Sequence, residues 1–209
     1  MELDAKTVKK LRDMTGSGMM DCKRALQEVG GDIEKAVDIL RKKGIAKAGS
    51  RSARATEQGR IETYVHLGSR IGVMLELKCE TDFVARNEEF VTLARDLCMH
   101  VAAMHPIAVV REDVPAELLE REKAVLMESD DISKKPEEMR EKIVEGRLKK
   151  FYTQSVLLDQ PFVKDEKTTI ADHLKAHVAK FGENITVGRF VRYELGEVSQ
   201  QAGDEQNES

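Results

Sequence analysis

Apolar residues recur along this chain with two periods, and the change from one to the other marks its parts. Up to residue 44 the period is helical. Asp4 can cap a first helix that carries Val8 and Leu11 and stops near Gly16. A second helix carries Cys22, Ala25, Leu26 and Val29 at i, i+3, i+4 and i+7 and stops at Gly30-Gly31. Asp32 can cap a third, with Ile33, Ala36, Val37 and Leu40 on one stripe and Arg41, Lys42 and Lys43 in the last turn before Gly44. A bundle of this size is near the lower limit for independent folding, about 40 residues. Residues 1–44 therefore read as a partner-binding module rather than a catalytic one. From Ile45 to Gln58 large apolar residues thin out, and Lys47, Arg51 and Arg54 mix with Gly, Ser, Ala and Thr, the composition of a flexible linker (45–58).

Near Gly59 the period shortens to two. Ile61, Thr63, Val65 and Leu67 alternate with Glu62, Tyr64 and His66, and Gly68-Ser69 suits a hairpin turn into a second strand. In that strand Ile71, Val73, Leu75, Leu77 and Cys79 face one way, and Met74, Glu76 and Lys78 the other. Helical spacing returns at Phe90, Leu93, Ala94, Leu97 and Val101, after Glu88 and Glu89, whose charge favours a first turn. Pro115 and Pro136 then start two highly charged helical stretches with thin apolar stripes, joined by the polar link Ser129 to Lys135. Such stripes suit a two-helix coiled-coil protrusion, 115–155, more than a core. A last helix from Thr169 carries Leu174, Val178 and Phe181 and closes at Gly182. A final strand, Ile185 to Leu195, places Val187, Val191, Tyr193 and Leu195 on one face. The fold class is therefore α+β: a three-helix N-terminal bundle, then a core domain, 59–196, with a small antiparallel sheet and a helical-hairpin protrusion. Residues 197–209 are polar and read as a disordered tail.

Composition narrows the function. With 34% charged residues, 4% aromatics and no tryptophan, the 209-residue chain suits a helix-rich protein with an aliphatic core. A net charge of −4 does not fit a molecule built to neutralise nucleic acid. Three cysteines without a Cys-x-x-Cys argue for a reducing compartment and against a disulfide framework or structural zinc. No apolar run approaches a membrane span, and Met1-Glu2-Leu3-Asp4 is not a signal peptide, so the expected location is cytoplasmic.

Signatures of covalent chemistry are missing. His173 and His177 stand at i, i+4 but lack the Glu of His-Glu-x-x-His and a third ligand, and read as solvent-facing. Cys22, Cys79 and Cys98 fall on apolar faces, where packing outweighs a nucleophilic role. Gly16-Ser17-Gly18-Met19-Met20 has no Gly-Lys-Ser/Thr, so it reads as a turn with an exposed methionine pair rather than a phosphate loop. The chain is not expected to be an enzyme or to hold a metal or cofactor.

Between the Ile71 strand and the Phe90 helix lies Thr81-Asp82-Phe83-Val84-Ala85-Arg86-Asn87. A phenylalanine on such a corner either tucks into the core, with Asp82 or Asn87 as a helix cap, or points outward to a partner. The stretch resembles the Thr-Asp-Phe-Val-Ala motif of translation elongation factor Ts. Met14 to Leu26, followed by Gly31 to Ala36, resembles the ubiquitin-associated-like N-terminal domain of that family. Glu145 to Phe151, Gln160 to Val163 and Asn184 to Glu194 are also similar to it.

The resemblance implies a guanine nucleotide exchange factor for elongation factor Tu, which promotes GDP release by disturbing the Mg²⁺/phosphate site. It assigns Phe83 as the wedge, Asp82 as its polar companion, and Thr81 and Val84 as the corner holding them. Gly18, Met19 and Met20 fall in the module that binds the GTPase domain. Longer members carry a duplicated core where this chain reads as holding one, so pairing of two copies across a sheet edge makes a homodimer the expected assembly. The competing reading is an RNA-associated helical module using the basic segment 41–54. That segment has no interleaved aromatic to stack bases, which argues against nucleic acid as a partner.

Overall fold

The structure, a computed structural model, describes residues 4–49, 51–133 and 135–197; the polar tail beyond Glu197 lies outside them. Three helices open the chain: α1 (Ala5–Thr15), α2 (Met19–Glu28) and α3 (Ile33–Gly49). Asp4 caps α1 by accepting from the Lys6 amide, and Gly16 ends it in the left-handed region at φ 64°. Val8, Leu11, Cys22, Ala25, Leu26, Ala36 and Leu40 form the buried cluster of this bundle.

The third helix does not stop at Gly44 but continues through residues 45–49, the first part of the segment that reads as a linker in the sequence. α3 runs on to Gly49, and Gly44 within it lies against α9 (Ile170–Phe181), where an added Cβ would sit 3.0 Å from that of Ala179. The glycine is there for close helix approach, not as a helix stop. The turn that follows is held as well: the Ser52 hydroxyl donates to the Gly49 carbonyl, and Arg51 donates to the Val178 carbonyl.

The core is a three-stranded antiparallel sheet in the order β1 (Gln58–Val65), β2 (Ile71–Cys79), β5 (Ile185–Glu194). On its inner face pack α5 (Glu88–Met104) and α9, with Val73, Leu75, Leu77, Cys79, Phe90, Leu97, Val101, Leu174 and Val178 buried together. The last strand corrects the expected single face. At the Glu76/Leu77 step the register slips by one, Leu77 pairing Val187 and Glu76 pairing Arg189, so Gly188 is an extra residue. Beyond this bulge the alternation inverts. Val187 points in, but Val191 and Tyr193 point out, while Phe190 packs against the core and Arg192 tucks under the sheet to the Ala102 carbonyl.

The charged hairpin consists of α6 (Ala116–Glu128) and α8 (Glu137–Ser155). Its link is not wholly polar loop: a one-turn helix, α7 (Asp130–Ser133), buries Ile132 at the tip. A small hairpin of β3 (Pro161–Phe162) and β4 (Asp165–Thr169) was not legible, since Asp-Glu-Lys-Thr-Thr has no apolar alternation.

The histidines of α9 are not solvent-facing. His173 stacks on Phe162 with centroids 4.4 Å apart, and His177 lies 4.7 Å from His173 and stacks on Phe181. Burial first, and then the neighbouring His177, depress His173 to about 4. Burial likewise lowers His177 and His100.

Two expectations follow. Gly59 sits at φ 151°, and a Cβ there would lie 2.3 Å from the Leu77 carbonyl oxygen, so Gly59→Ala should cost about 1–3 kcal/mol in a urea titration. Histidines in the unfolded chain protonate near pH 6.5, about where His173 in the folded chain is still neutral. Between that pH and about 4 the unfolded state binds more protons, so stability should fall as pH drops through this window. Urea midpoints from pH 7 to 4.5 should record the fall, with a shallower slope in His173→Phe.

Candidate functional site

The corner after β2 is built from its carboxylates outward. Glu183, just past the left-handed Gly182 that ends α9, turns back over the end of β2. Its Oε2 accepts from the amides of Glu80 (3.1 Å) and Thr81 (3.0 Å), and its Oε1 accepts from the Thr81 hydroxyl at 2.6 Å. These are charge-assisted bonds, worth about 1.5–3 kcal/mol each when well shielded. The Thr81 hydroxyl oxygen in turn accepts from the Val84 amide and caps a single helical turn, α4 (Asp82–Ala85). Asn87 caps α5 by accepting from the Glu89 amide at 2.9 Å.

This turn sorts its side chains sharply. Ala85 is buried and Val84 packs against the core, so the corner is tethered from below. Phe83 points the other way and is 83% exposed. Asp82 beside it pairs with Arg86 at 3.0 Å, which leaves a half-exposed carboxylate at the foot of the ring. Of the two alternatives for a phenylalanine on this corner, the structure has the outward one. The caps are Thr81 and Asn87, not Asp82.

Gly18 precedes the first turn of α2, and Met19 and Met20 project from that turn, Met20 being 64% exposed. Met14, near the end of α1, is exposed too and was not singled out in the sequence. Flexible thioethers on a surface turn make an adaptable apolar contact. Glu183 was also missed. A glutamate after a helix-ending glycine looks like any solvated residue, and only the path of β5 beside β2 brings it to Thr81.

Nucleophilic chemistry is poorly served. All three cysteines are buried. Burial, then the Glu183 charge, pushes the Cys79 thiol up to about 11; burial and Glu62 push Cys98 up to about 12. Both are protonated at neutral pH and inert. Among the described residues no group of three His, Cys, Asp or Glu is arranged to hold a metal ion. Among the same residues no helix is long and apolar enough to cross a membrane.

Comparison with known proteins covers almost the whole chain. The family model described as "Elongation factor TS" matches residues 5–197. The chain is 55% identical over 194 residues to the elongation factor Ts of Oleidesulfovibrio alaskensis, covering 93% of this chain and 98% of the relative. It is 53% identical over 195 residues to that of Thermosipho melanesiensis, covering 93% and 100%. With the elongation factor Ts of a Synechococcus strain it is 52% identical over 198 residues, which span 94% of this chain and 77% of the relative. A match of this extent is membership: the chain belongs to the elongation factor Ts family, whose members are translation elongation factors and not enzymes of covalent chemistry.

Proposed function

We propose that this protein is a cytoplasmic guanine nucleotide exchange factor for translation elongation factor Tu. The observation that carries the reading is Phe83, a large apolar ring held out in solvent on a corner fixed from below by Glu183, Thr81 and Val84. Burying a phenylalanine ring is worth about 1.5–3 kcal/mol, and leaving it exposed forgoes that gain unless a partner supplies the cover. A GTPase holds GDP partly through its phosphates and a Mg²⁺ ion. A protein that binds the nucleotide-free state more tightly weakens GDP by the same factor, each tenfold needing about 1.4 kcal/mol of differential contact. Phe83 is the wedge that makes this contact near the Mg²⁺/phosphate site, and the Asp82 carboxylate is its polar companion. Thr81 and Val84 keep the corner rigid. Gly18, Met19 and Met20, on the bundle of residues 1–44, make a second contact with the same partner.

The reading of the basic segment as an RNA surface loses support from how that segment is engaged. Lys43 pairs with Glu28 at 2.8 Å, Arg51 donates to a backbone carbonyl, and Arg54 faces Glu80 at 3.5 Å.

A homodimer is the second part of the proposal, and the sheet's outer face rather than its edge is the surface that favours it. β1 carries Arg60, Glu62 and Tyr64 inward and Ile61, Thr63 and Val65 outward, with Ile61 60% and Val65 63% exposed. The register sets Thr63 beside Met74 and Met74 beside Val191, and Tyr193 extends the same face. A solvated sheet face normally carries the polar set, so this inversion marks a face meant to be covered.

Release of labelled GDP from elongation factor Tu tests the exchange reading. Phe83→Ala should slow it by about tenfold or more, a loss of about 1.4 kcal/mol, while shifting fold stability by less than about 0.5 kcal/mol. A large melt shift or an unchanged rate would overturn the role of Phe83. For assembly, sedimentation at micromolar concentration should give a dimer, and Ile61→Glu with Val65→Glu should give a folded monomer. A wild-type monomer persisting at high concentration would remove the dimer.

A further inference from the structure

The bundle α1–α3 and the sheet-centred core have separate apolar clusters and meet chiefly where α3 crosses α9. α3 passes α9 at Gly44, where the α9 side offers the small residues Ala176 and Ala179. A cleft of about 310 Å³ opens beside that crossing, with Val37 and Leu40 on one wall and His173 on the other. Small residues bring the two helices close at this crossing, and the open cleft beside it leaves room for tilt about that point.

Polar pins are concentrated at one end of it. Asn184 is buried, and its Nδ2 donates to the carbonyls of Ser52 (3.3 Å) and Arg54 (2.8 Å), in the turn that joins α3 to β1. Its backbone amide donates to Glu80 Oε1 at 2.6 Å. The other Glu80 oxygen faces Arg54 at 3.5 Å, and the Glu80 amide goes to Glu183 beside that of Thr81. Thus the turn that carries the bundle and the corner that carries Phe83 are both bonded to the two adjacent residues Glu183 and Asn184. A carboxamide suits this place, because its two N–H groups match two carbonyls.

We infer that Asn184 and Glu80 form a positioning device that sets the angle between the Met19-Met20 turn and the Phe83 corner, so that both meet the partner together; this rests on the exchange reading above. Two contacts on one rigid frame act as a linked pair. The second forms at high effective concentration only while the frame fits the partner. Loosening Asn184 leaves each cluster folded and Phe83 on its own clamp, yet unlinks the two contacts. It should therefore weaken capture of the partner while sparing the rate once captured.

The test begins on the free protein. Nitroxide labels are placed at exposed positions through Met20→Cys and Glu88→Cys; the native cysteines are buried and leave the introduced thiols to react. Pulsed spin-resonance distances should give one narrow distribution, broadened or displaced by Asn184→Ala. An unchanged distribution would overturn the inference. Should Asn184→Ala fail to fold, Glu80→Ala, which removes the acceptor for the Asn184 amide and the counter-ion of Arg54, carries the same readout. In GDP release from elongation factor Tu, Asn184→Ala should raise the half-saturating concentration several-fold with the saturating rate within about twofold. The effect of Met19→Ala with Met20→Ala should shrink in that background; its full persistence would overturn the linkage. The distances need no partner, so a wild-type protein that fails to release GDP would sink the exchange reading while the positioning device is still judged on its own.

Discussion

The exposed corner depends on a carboxylate that few sequence signals would single out. Glu183 gathers two backbone amides and the Thr81 hydroxyl, and the same hydroxyl oxygen caps the turn that displays Phe83. Without an acceptor there, the Glu80 and Thr81 amides just past β2 would face the α9–β5 turn unpaired, at a cost of about 1–3 kcal/mol each if shielded from water. The order of cause therefore runs inward to outward. The chain path of β5 delivers Glu183, Glu183 fixes Thr81, and Thr81 fixes the turn. The Cα–Cβ direction of an exposed phenylalanine is thereby set, which is the preorganisation its proposed role as a wedge needs.

The sheet obeys a second constraint, that each strand must choose a face. β2 chooses simply, because its alternate residues from Val73 to Cys79 are all apolar and lie under α5 and α9. β1 and β5 do not. β1 sends an Arg60–Glu62 pair inward at 2.7 Å and keeps its aliphatic residues outside. β5 changes face at Gly188, where a Cβ would approach the Glu76 carboxylate to 3.0 Å. The bulge lets one strand serve both sides: Ile185 and Val187 complete the core, and Val191 and Tyr193 enlarge the outer apolar surface. Core packing and the proposed self-association thus draw on successive halves of the same strand.

Much of the architecture was legible along the chain. The helices of the bundle, the paired strands before the corner and the charged hairpin all follow from period, caps and turn residues, which act within a few residues of one another. The Thr81–Asn87 stretch could be marked as a corner on the same grounds, and its family resemblance supplied the motif. What local rules misjudged were glycines and faces. Gly44 looks like a stop from its neighbours alone, yet it lies inside a longer helix and against Ala179 of α9. The histidines of α9 look solvated until Phe162 and Phe181 are seen beside them.

The sequence by itself determined most of the helices and the three strands of the main sheet, the α+β class, the inert cysteines and the position of a phenylalanine between a strand and a helix, because each depends on propensity and periodicity over short spans. Tertiary structure alone decided which way Phe83 points, that Glu183 and Asn184 hold the corner and the α3–β1 turn, and which residues of β1 and β5 face outward. These depend on partners roughly a hundred residues away in sequence, in contacts such as Thr81 with Glu183 and Arg54 with Asn184. A side chain's direction is set by what packs against it, and that neighbour is known only once the chain has closed on itself.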